Sequence, residues 1–143
     1  MIIVNLLMRW LHIFSVITAV GATVFLRLAL FPALAAVADE TRKAVIQSLS
    51  SRLRVLIHAA IGGILLSGFY NTRLLSKTGV PPYGVVYAVK MAVSLTVIVI
   101  AILITSGKPR YAGFQANWER WLGLNLALAV IIVGLSAWLR YLH

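Results

Sequence analysis

Long apolar segments take up most of this 143-residue chain, and they constrain its fold more than any other feature. Four such segments cover residues 4–34, 53–70, 83–106 and 118–142. A helix of ~20 residues crosses the ~30 Å hydrocarbon core of a bilayer, and spans of about 17–25 residues are usual. The segments therefore predict an all-α protein built from four membrane-spanning helices.

A water-soluble helical bundle is the alternative, and it requires polar faces that repeat at helical spacing. Residues 91–105 carry no charged side chain, and the whole chain is 62% hydrophobic and only 11% charged. We therefore expect one four-helix transmembrane domain over residues 1–143. The first segment is too long for a secretory signal and has no small-residue cleavage site after a short apolar core, so we expect it to remain as a helix.

The net charge of +10 is explained better by topology than by nucleic-acid binding. Four spans place both termini on one side, together with the second connection. The other side carries the larger basic set: Arg42, Lys43, Arg52, Arg54, Lys108, Arg110 and Arg120. The positive-inside rule puts these first and third connections in the cytoplasm and both termini outside a plasma or bacterial inner membrane. Anionic lipid is the expected partner of the basic residues, and nucleic acid is not.

The connections refine the predicted helices to about residues 4–34, 40–70, 83–106 and 118–142. Residues 36–50 are polar but helical in propensity, and the acidic pair Asp39 and Glu40 suits a helix start, so the second helix should begin near Glu40. Pro32 can bend or close the exit of the first helix. Residues 71–82 contain Gly79 and a Pro-Pro pair and predict an outer loop, and residues 106–117 predict a short polar crossing.

Few ionisable side chains lie inside the predicted spans, and such residues are costly in hydrocarbon and often functional. The chief ones are His12, Arg27, His58 and Lys90. His12 and Lys90 each lie about 7–8 residues from the outer end of their helices, which predicts a shared level ~10 Å below the outer surface. His58 enters from the cytoplasmic side and should lie roughly 15 Å lower than His12. Whether the two histidines serve one site or two stays open.

These residues suggest ligands for a metal or a cofactor. Met8 precedes His12 by one turn, and a thioether with an imidazole suits copper(I), while an imidazole also suits haem iron. His58 is a second candidate ligand, and Lys90 and Arg27 are candidates to hold a haem propionate, a quinone oxygen or an anionic substrate. The alternative is that each histidine bonds to a neighbouring helix and each cation reaches the headgroups. We expect His143 to be a solvated terminal residue.

Several chemistries are excluded by composition. The acidic residues are Asp39, Glu40 and Glu119, all in or beside predicted loops, so no pair of carboxylates is available for catalysis inside the bilayer. The chain has no cysteine, which excludes thiolate metal sites, disulfides and covalently attached c-type haem.

Short motifs in the first three helices resemble the copper-resistance protein D (CopD) family. The matching residues are Trp10-Leu11-His12, Gly21, Phe25-Leu26-Arg27, Phe31-Pro32-Ala33-Leu34, Arg54, Leu66-Ser67-Gly68, and Pro82-Tyr83-Gly84-Val85-Val86 followed by Lys90. Val86 replaces the leucine of that family's last motif. The fourth helix matches only in being apolar.

The chain is also similar to HemJ-type protoporphyrinogen oxidases, which are small four-helix proteins with a histidine in the first helix and a lysine in the third. Residues 25–34 lack the second histidine of the HemJ pattern. The resemblances imply a b-type haem bound between the helices for electron transfer with a quinone or a porphyrinogen, and an oxidoreductase activity stays open. Copper transport or homeostasis is the alternative, and a small accessory subunit of a membrane complex or a homo-oligomer is the third.

Overall fold

The chain folds into helices joined by short connections. The computed structural model describes residues 2–76, 84–106 and 108–141. The α-helices are α1 (Ile2–Phe25), α2 (Phe31–Ala35), α3 (Asp39–Ser76), α4 (Gly84–Thr105), α5 (Ala112–Ala116) and α6 (Trp118–Tyr141). A π-helical segment (Leu26–Leu30) joins α1 to α2, and a 3₁₀ turn (Pro109–Tyr111) precedes α5. The described ranges contain no strand, which confirms the all-α prediction.

The four long helices form a closed ring in which α1 packs on α3, α3 on α4, α4 on α6, and α6 on α1. The α1–α3 and α4–α6 interfaces are the most extensive. Early residues of α1 bond to late residues of α3, and the aromatic rings of Phe31 and Trp118 meet where α2 and α6 begin. Neighbouring helices are therefore antiparallel. We call the end that holds Ile2, Ser76 and Gly84 the amino-terminal end, and the opposite end the basic end.

Four continuous helical stretches are long and apolar enough to cross a membrane: Ile2–Ala35, Asp39–Leu74, Gly84–Thr105 and Trp118–Trp138. Only between 6% and 22% of the residues in the most apolar part of each are buried inside the protein. Large apolar side chains point outward instead, including Phe14 at 69%, Phe69 at 70% and Val130 at 62% exposure. The outer surface of the bundle is thus as apolar as its interior.

An apolar cluster packs the helices together at the basic end. Its buried members are Leu26, Phe31 and Leu122, and Leu30, Leu49, Leu53 and Trp118 pack against them. The rings of Phe31 and Trp118 meet edge to face with centroids 4.0 Å apart, so α2 and α6 are in close contact here. The part of α3 before residue 53 therefore contributes to the same core as the apolar spans.

The first helical stretch ends at Ala35, close to the predicted end at residue 34, whereas α3 differs from its predicted boundary. The first stretch passes Pro32 by way of the π-helical segment, where the Phe31 N–H bonds to the Leu26 carbonyl. Because Pro32 has no N–H to donate, a change in hydrogen-bond register just before it is a natural adjustment. Helix α3 begins at Asp39 as predicted, but it extends to Ser76, so the predicted outer loop is wrong for residues 71–76. The rest of that loop, residues 77–82, lies outside the described residues.

Candidate functional site

The imidazole of His12 bonds to the buried side chain of Ser67 across the α1–α3 interface. His12 Nδ1 lies 3.0 Å from Ser67 Oγ. Ser67 is 0% exposed, and His12 is half-buried. This contact fixes the ring of His12 between two helices, so its orientation does not depend on a bound ligand.

The surrounding bonds determine which nitrogen of His12 carries the proton. The Ser67 hydroxyl lies 2.5 Å from the Gly63 carbonyl, to which it donates its single hydrogen. Ser67 Oγ then acts as the acceptor for His12, and the Ile64 carbonyl is a second acceptor beside the ring. His12 therefore donates from Nδ1, and in the neutral ring the lone pair is on Nε2. Metal-ligating histidines are commonly held in this way, with one ring N–H donated to an oxygen of the protein.

Lys90 of α4 lies close enough to His12 for their charges to interact. This agrees with the shared depth expected from the sequence. Lys90 is half-buried, and its ammonium makes no hydrogen bond to any of the described residues. We call His12, Ser67 and Lys90 the His12 cluster. The cluster combines an imidazole of fixed orientation with an ammonium group whose N–H donors have no hydrogen-bond partner among the described residues.

Hydroxyl groups on the same three helices form a polar layer nearer the amino-terminal end. The Tyr70 hydroxyl donates to Asn5 Oδ1 at 2.7 Å, joining α3 to α1. The Thr72 hydroxyl lies 2.7 Å from the Gly68 carbonyl and 2.5 Å from the Tyr87 hydroxyl of α4. These bonds hold α1, α3 and α4 in register beside the His12 cluster.

A close approach of α1 and α3 explains why His12 reaches Ser67. A methyl group at Gly63 would overlap the Ser15 hydroxyl, so the glycine lets the two backbones come together here. Small residues allow such approaches in membrane helices, where van der Waals packing drives association. Met8 is half-buried on the same face of α1 as Asn5 and His12, one turn before the histidine.

His58 is not part of this cluster. It is exposed on α3 and donates from Nδ1 to the Arg54 carbonyl of its own helix at 2.7 Å. It precedes Ser67 by nine positions, which is about 13 Å along a helix and roughly half a turn away around it. His12 and His58 therefore lie at different levels and on different sides of α3.

Arg27 lies on the π-helical segment at the basic end, about 22 Å along the helix from His12. Its guanidinium is 3.9 Å from one carboxylate oxygen of Glu119, and the Arg42 guanidinium is 3.7 Å from the other. All three side chains are between 36% and 46% exposed. The structure thus places Arg27 in a surface ion-pair network and separates it from Lys90.

The sequence reasoning missed Ser67 as a partner of His12. Its signal was present, because Ser67 is a polar residue between Leu66 and Gly68 in an apolar run, within a motif that was already singled out.

In the described ranges no three histidine, cysteine, aspartate or glutamate side chains converge as a metal site. His143 and Tyr83 lie outside the described residues. Comparisons with protein-family models, with curated proteins and with solved structures found no match to this chain.

Proposed function

We propose that this chain is an integral membrane protein that crosses the bilayer four times. Four helices of sufficient length and their exposed apolar side chains support the proposal. The polar residues that are buried inside the bundle, such as Ser67 and Asn125, are the reverse of the arrangement in a water-soluble protein. Lipid is the solvent that suits such a surface.

We place the basic end in the cytoplasm and the amino-terminal end outside. Arg42, Lys43 and Arg110 are among the basic residues that support this orientation through the positive-inside rule. Single-cysteine variants test it cleanly because the native chain has no cysteine. An impermeant maleimide should label Leu74→Cys on whole cells and Lys43→Cys only after permeabilisation. The reverse pattern would overturn the orientation.

The His12 cluster is the proposed ligand site, and the function it supports best is membrane redox chemistry with a b-type haem, as the resemblance to CopD and HemJ proteins suggests. The observation that carries the proposal is the fixed imidazole of His12, with its Nε2 lone pair available, within electrostatic range of the Lys90 ammonium. An imidazole nitrogen is a suitable ligand for haem iron. Bound haem would supply one-electron transfer, with a quinone or a porphyrinogen as the proposed partner.

The residues of the cluster have separate roles in this proposal. His12 would hold the haem through Nε2, and Ser67 would keep the ring in the required tautomer. Lys90 would offer an ammonium to a propionate or to a quinone oxygen at the level of His12. His58 does not fit as a second ligand at the same site in one chain, because it lies about 13 Å from Ser67 along α3 on another side of the helix. Arg27 does not fit as a propionate anchor for this site.

Copper handling is the second candidate, and the position of Met8 favours it. Met8 shares the buried face of α1 with His12 at a spacing of one turn, so a thioether and an imidazole lie on one face. Copper(I) accepts this pair of ligand types. In this case Lys90 would have no direct part in binding the cation, because like charges repel.

Visible absorption spectra of the purified protein separate the two candidates. After expression with added haem, we expect a Soret and an α band that are lost in His12→Ala and kept in the matched control His58→Ala. Ser67→Ala should weaken haem binding by about 10–100-fold, as loss of a ligand's supporting bond typically does. A colourless protein that retains copper would reject haem and favour the second candidate, and a protein that retains neither would reject both.

A further inference from the structure

Asn125 of α6 is a buried polar side chain whose amide oxygen has no partner among the described residues. The residue is 6% exposed, and its Oδ1 atom accepts no hydrogen bond there. Buried polar groups in folded proteins are nearly always bonded to protein or to ordered water. This amide oxygen inside an apolar bundle therefore calls for a hydrogen-bond donor other than the described residues.

The side chain of Asn125 lines a cavity between all four long helices. The cavity has a volume of about 60 Å³. A single buried water needs roughly 10–15 Å³ of such space, so a few water molecules fit. Organic ligands occupy pockets of about 300–1,000 Å³, so a quinone or a porphyrin does not fit.

The other polar groups of the cavity are also hydrogen-bond acceptors. The hydroxyls of Thr23 and Thr105 line it, and each donates its hydrogen to a carbonyl of its own helix, at 2.9 Å to Ala19 and 2.6 Å to Ala101. Their oxygens keep lone pairs, as does Asn125 Oδ1. A water molecule can donate two hydrogen bonds. It therefore complements a pocket that presents several acceptor oxygens and one donor group, the NH₂ of Asn125.

We infer that this cavity is a built hydration site that binds a small cluster of water molecules at Asn125. Its walls run from Thr105, at the end of α4, to Ile64, whose carbonyl lies beside the ring of His12. The waters place exchangeable protons in the part of the bundle between the basic end and the His12 cluster. No wall residue belongs to that cluster, so the inference does not depend on the proposed ligand site.

The test uses the S–H stretching band of a single introduced cysteine, which is free of background because the native chain has none. Ala129 is 6% exposed and lines the cavity, while its neighbour Val130 is 62% exposed on the outer surface at nearly the same depth. Infrared spectra of Ala129→Cys and Val130→Cys in lipid are followed after transfer to D₂O. We expect the buried thiol to exchange to S–D at least ten times faster than the outward one.

A third variant tests whether Asn125 recruits the water. Asn125→Leu replaces the amide with an apolar group of similar size, and in the Ala129→Cys background it should slow exchange to the rate of Val130→Cys. Equal rates for the two single variants would overturn the hydration site, and an unchanged rate in Asn125→Leu would overturn the role of the amide. Ala101→Cys against Ile102→Cys repeats the comparison on α4 if either α6 variant fails to fold.

Discussion

Replacing Ser67 with alanine removes the bond that fixes His12 and leaves the shape of α3 almost unchanged. Ser67 Oγ is the acceptor for His12 Nδ1 at 3.0 Å, and its own hydrogen goes to the Gly63 carbonyl. That carbonyl keeps its ordinary helical bond in the variant. The main loss in Ser67→Ala is therefore the acceptor of the imidazole N–H.

Two estimates of the free energy of one hydrogen bond set the destabilisation expected for Ser67→Ala. A buried donor left without an acceptor costs about 1–3 kcal/mol. Hydrogen bonds between membrane helices contribute less, ~0.6 kcal/mol on average and up to ~1.7, because the separated helices also find partners in the membrane. Ser67 is fully buried, whereas His12 is half-buried and has the Ile64 carbonyl nearby. We therefore expect Ser67→Ala to lower the free energy of unfolding by about 1–1.7 kcal/mol.

Unfolding in mixed micelles, followed by tryptophan fluorescence, measures this change. Ser136→Ala is the control, because Ser136 is half-buried and, among the described residues, its hydroxyl bonds only to the Ile132 carbonyl of its own helix at 2.7 Å. The control should change the free energy of unfolding by less than about 0.5 kcal/mol. Equal effects of the two serine substitutions would refute the contribution of the bond between α1 and α3.

A double-mutant cycle isolates the pair itself. His12→Ala and Ser67→Ala should be non-additive, with a coupling free energy of about 0.6–1.7 kcal/mol. His12→Ala with Ser136→Ala should be additive within about 0.5 kcal/mol, since the Ser136 hydroxyl bonds within its own helix. A coupling of zero for the first pair means that His12 and Ser67 are not bonded in the folded protein.

Four further substitutions test the packing, the surface charges and one hydrogen bond between α3 and α4. Gly63→Ala should destabilise the bundle by about 1–3 kcal/mol because its methyl group meets the Ser15 hydroxyl, whereas Gly62→Ala, which faces open space, should be neutral or stabilising by up to ~1 kcal/mol. Thermal unfolding of both variants in one detergent makes the comparison, and equal melting temperatures would contradict it. Glu119→Gln should change stability by less than ~1 kcal/mol, with a smaller effect in high salt, because its ion pairs are half exposed. Tyr87→Phe should cost ~0.6 kcal/mol through loss of its bond to α3, and an unfolding midpoint equal to that of the native protein would refute that bond.

The number and type of the long helices follow from the sequence because apolar length alone specifies them. The start of α3 at Asp39 was equally readable, since its acidic residues suit the positive end of a helix dipole. The end of α3 could not be predicted from the sequence in the same way. Residues 71–76 have no helix-breaking glycine or proline, and Thr72 bonds back to the Gly68 carbonyl, so the helix continues past Tyr70.

The partners of the buried polar residues were harder to predict than the residues themselves. Depth counted along straight helices was enough to bring His12 and Lys90 together. It was not enough to pair His12 with Ser67, because that bond depends on how closely α1 and α3 approach at Gly63. Asn125 gave no signal in the sequence, since a single amide in an apolar run does not reveal whether it faces lipid, a helix or a cavity.

The separation of the two histidines also decides how a haem with two histidine ligands would have to be built. In one chain His58 is exposed and lies about 13 Å along α3 from Ser67, the partner of His12, so the two histidines do not converge on one site. A haem band that disappears in both His12→Ala and His58→Ala, while both variants stay folded, would therefore point to a site shared with a second copy of the chain. In that case dilution in detergent would release the haem. A monomeric protein that holds one haem through both histidines would show that the bond between His12 and Ser67 is wrong.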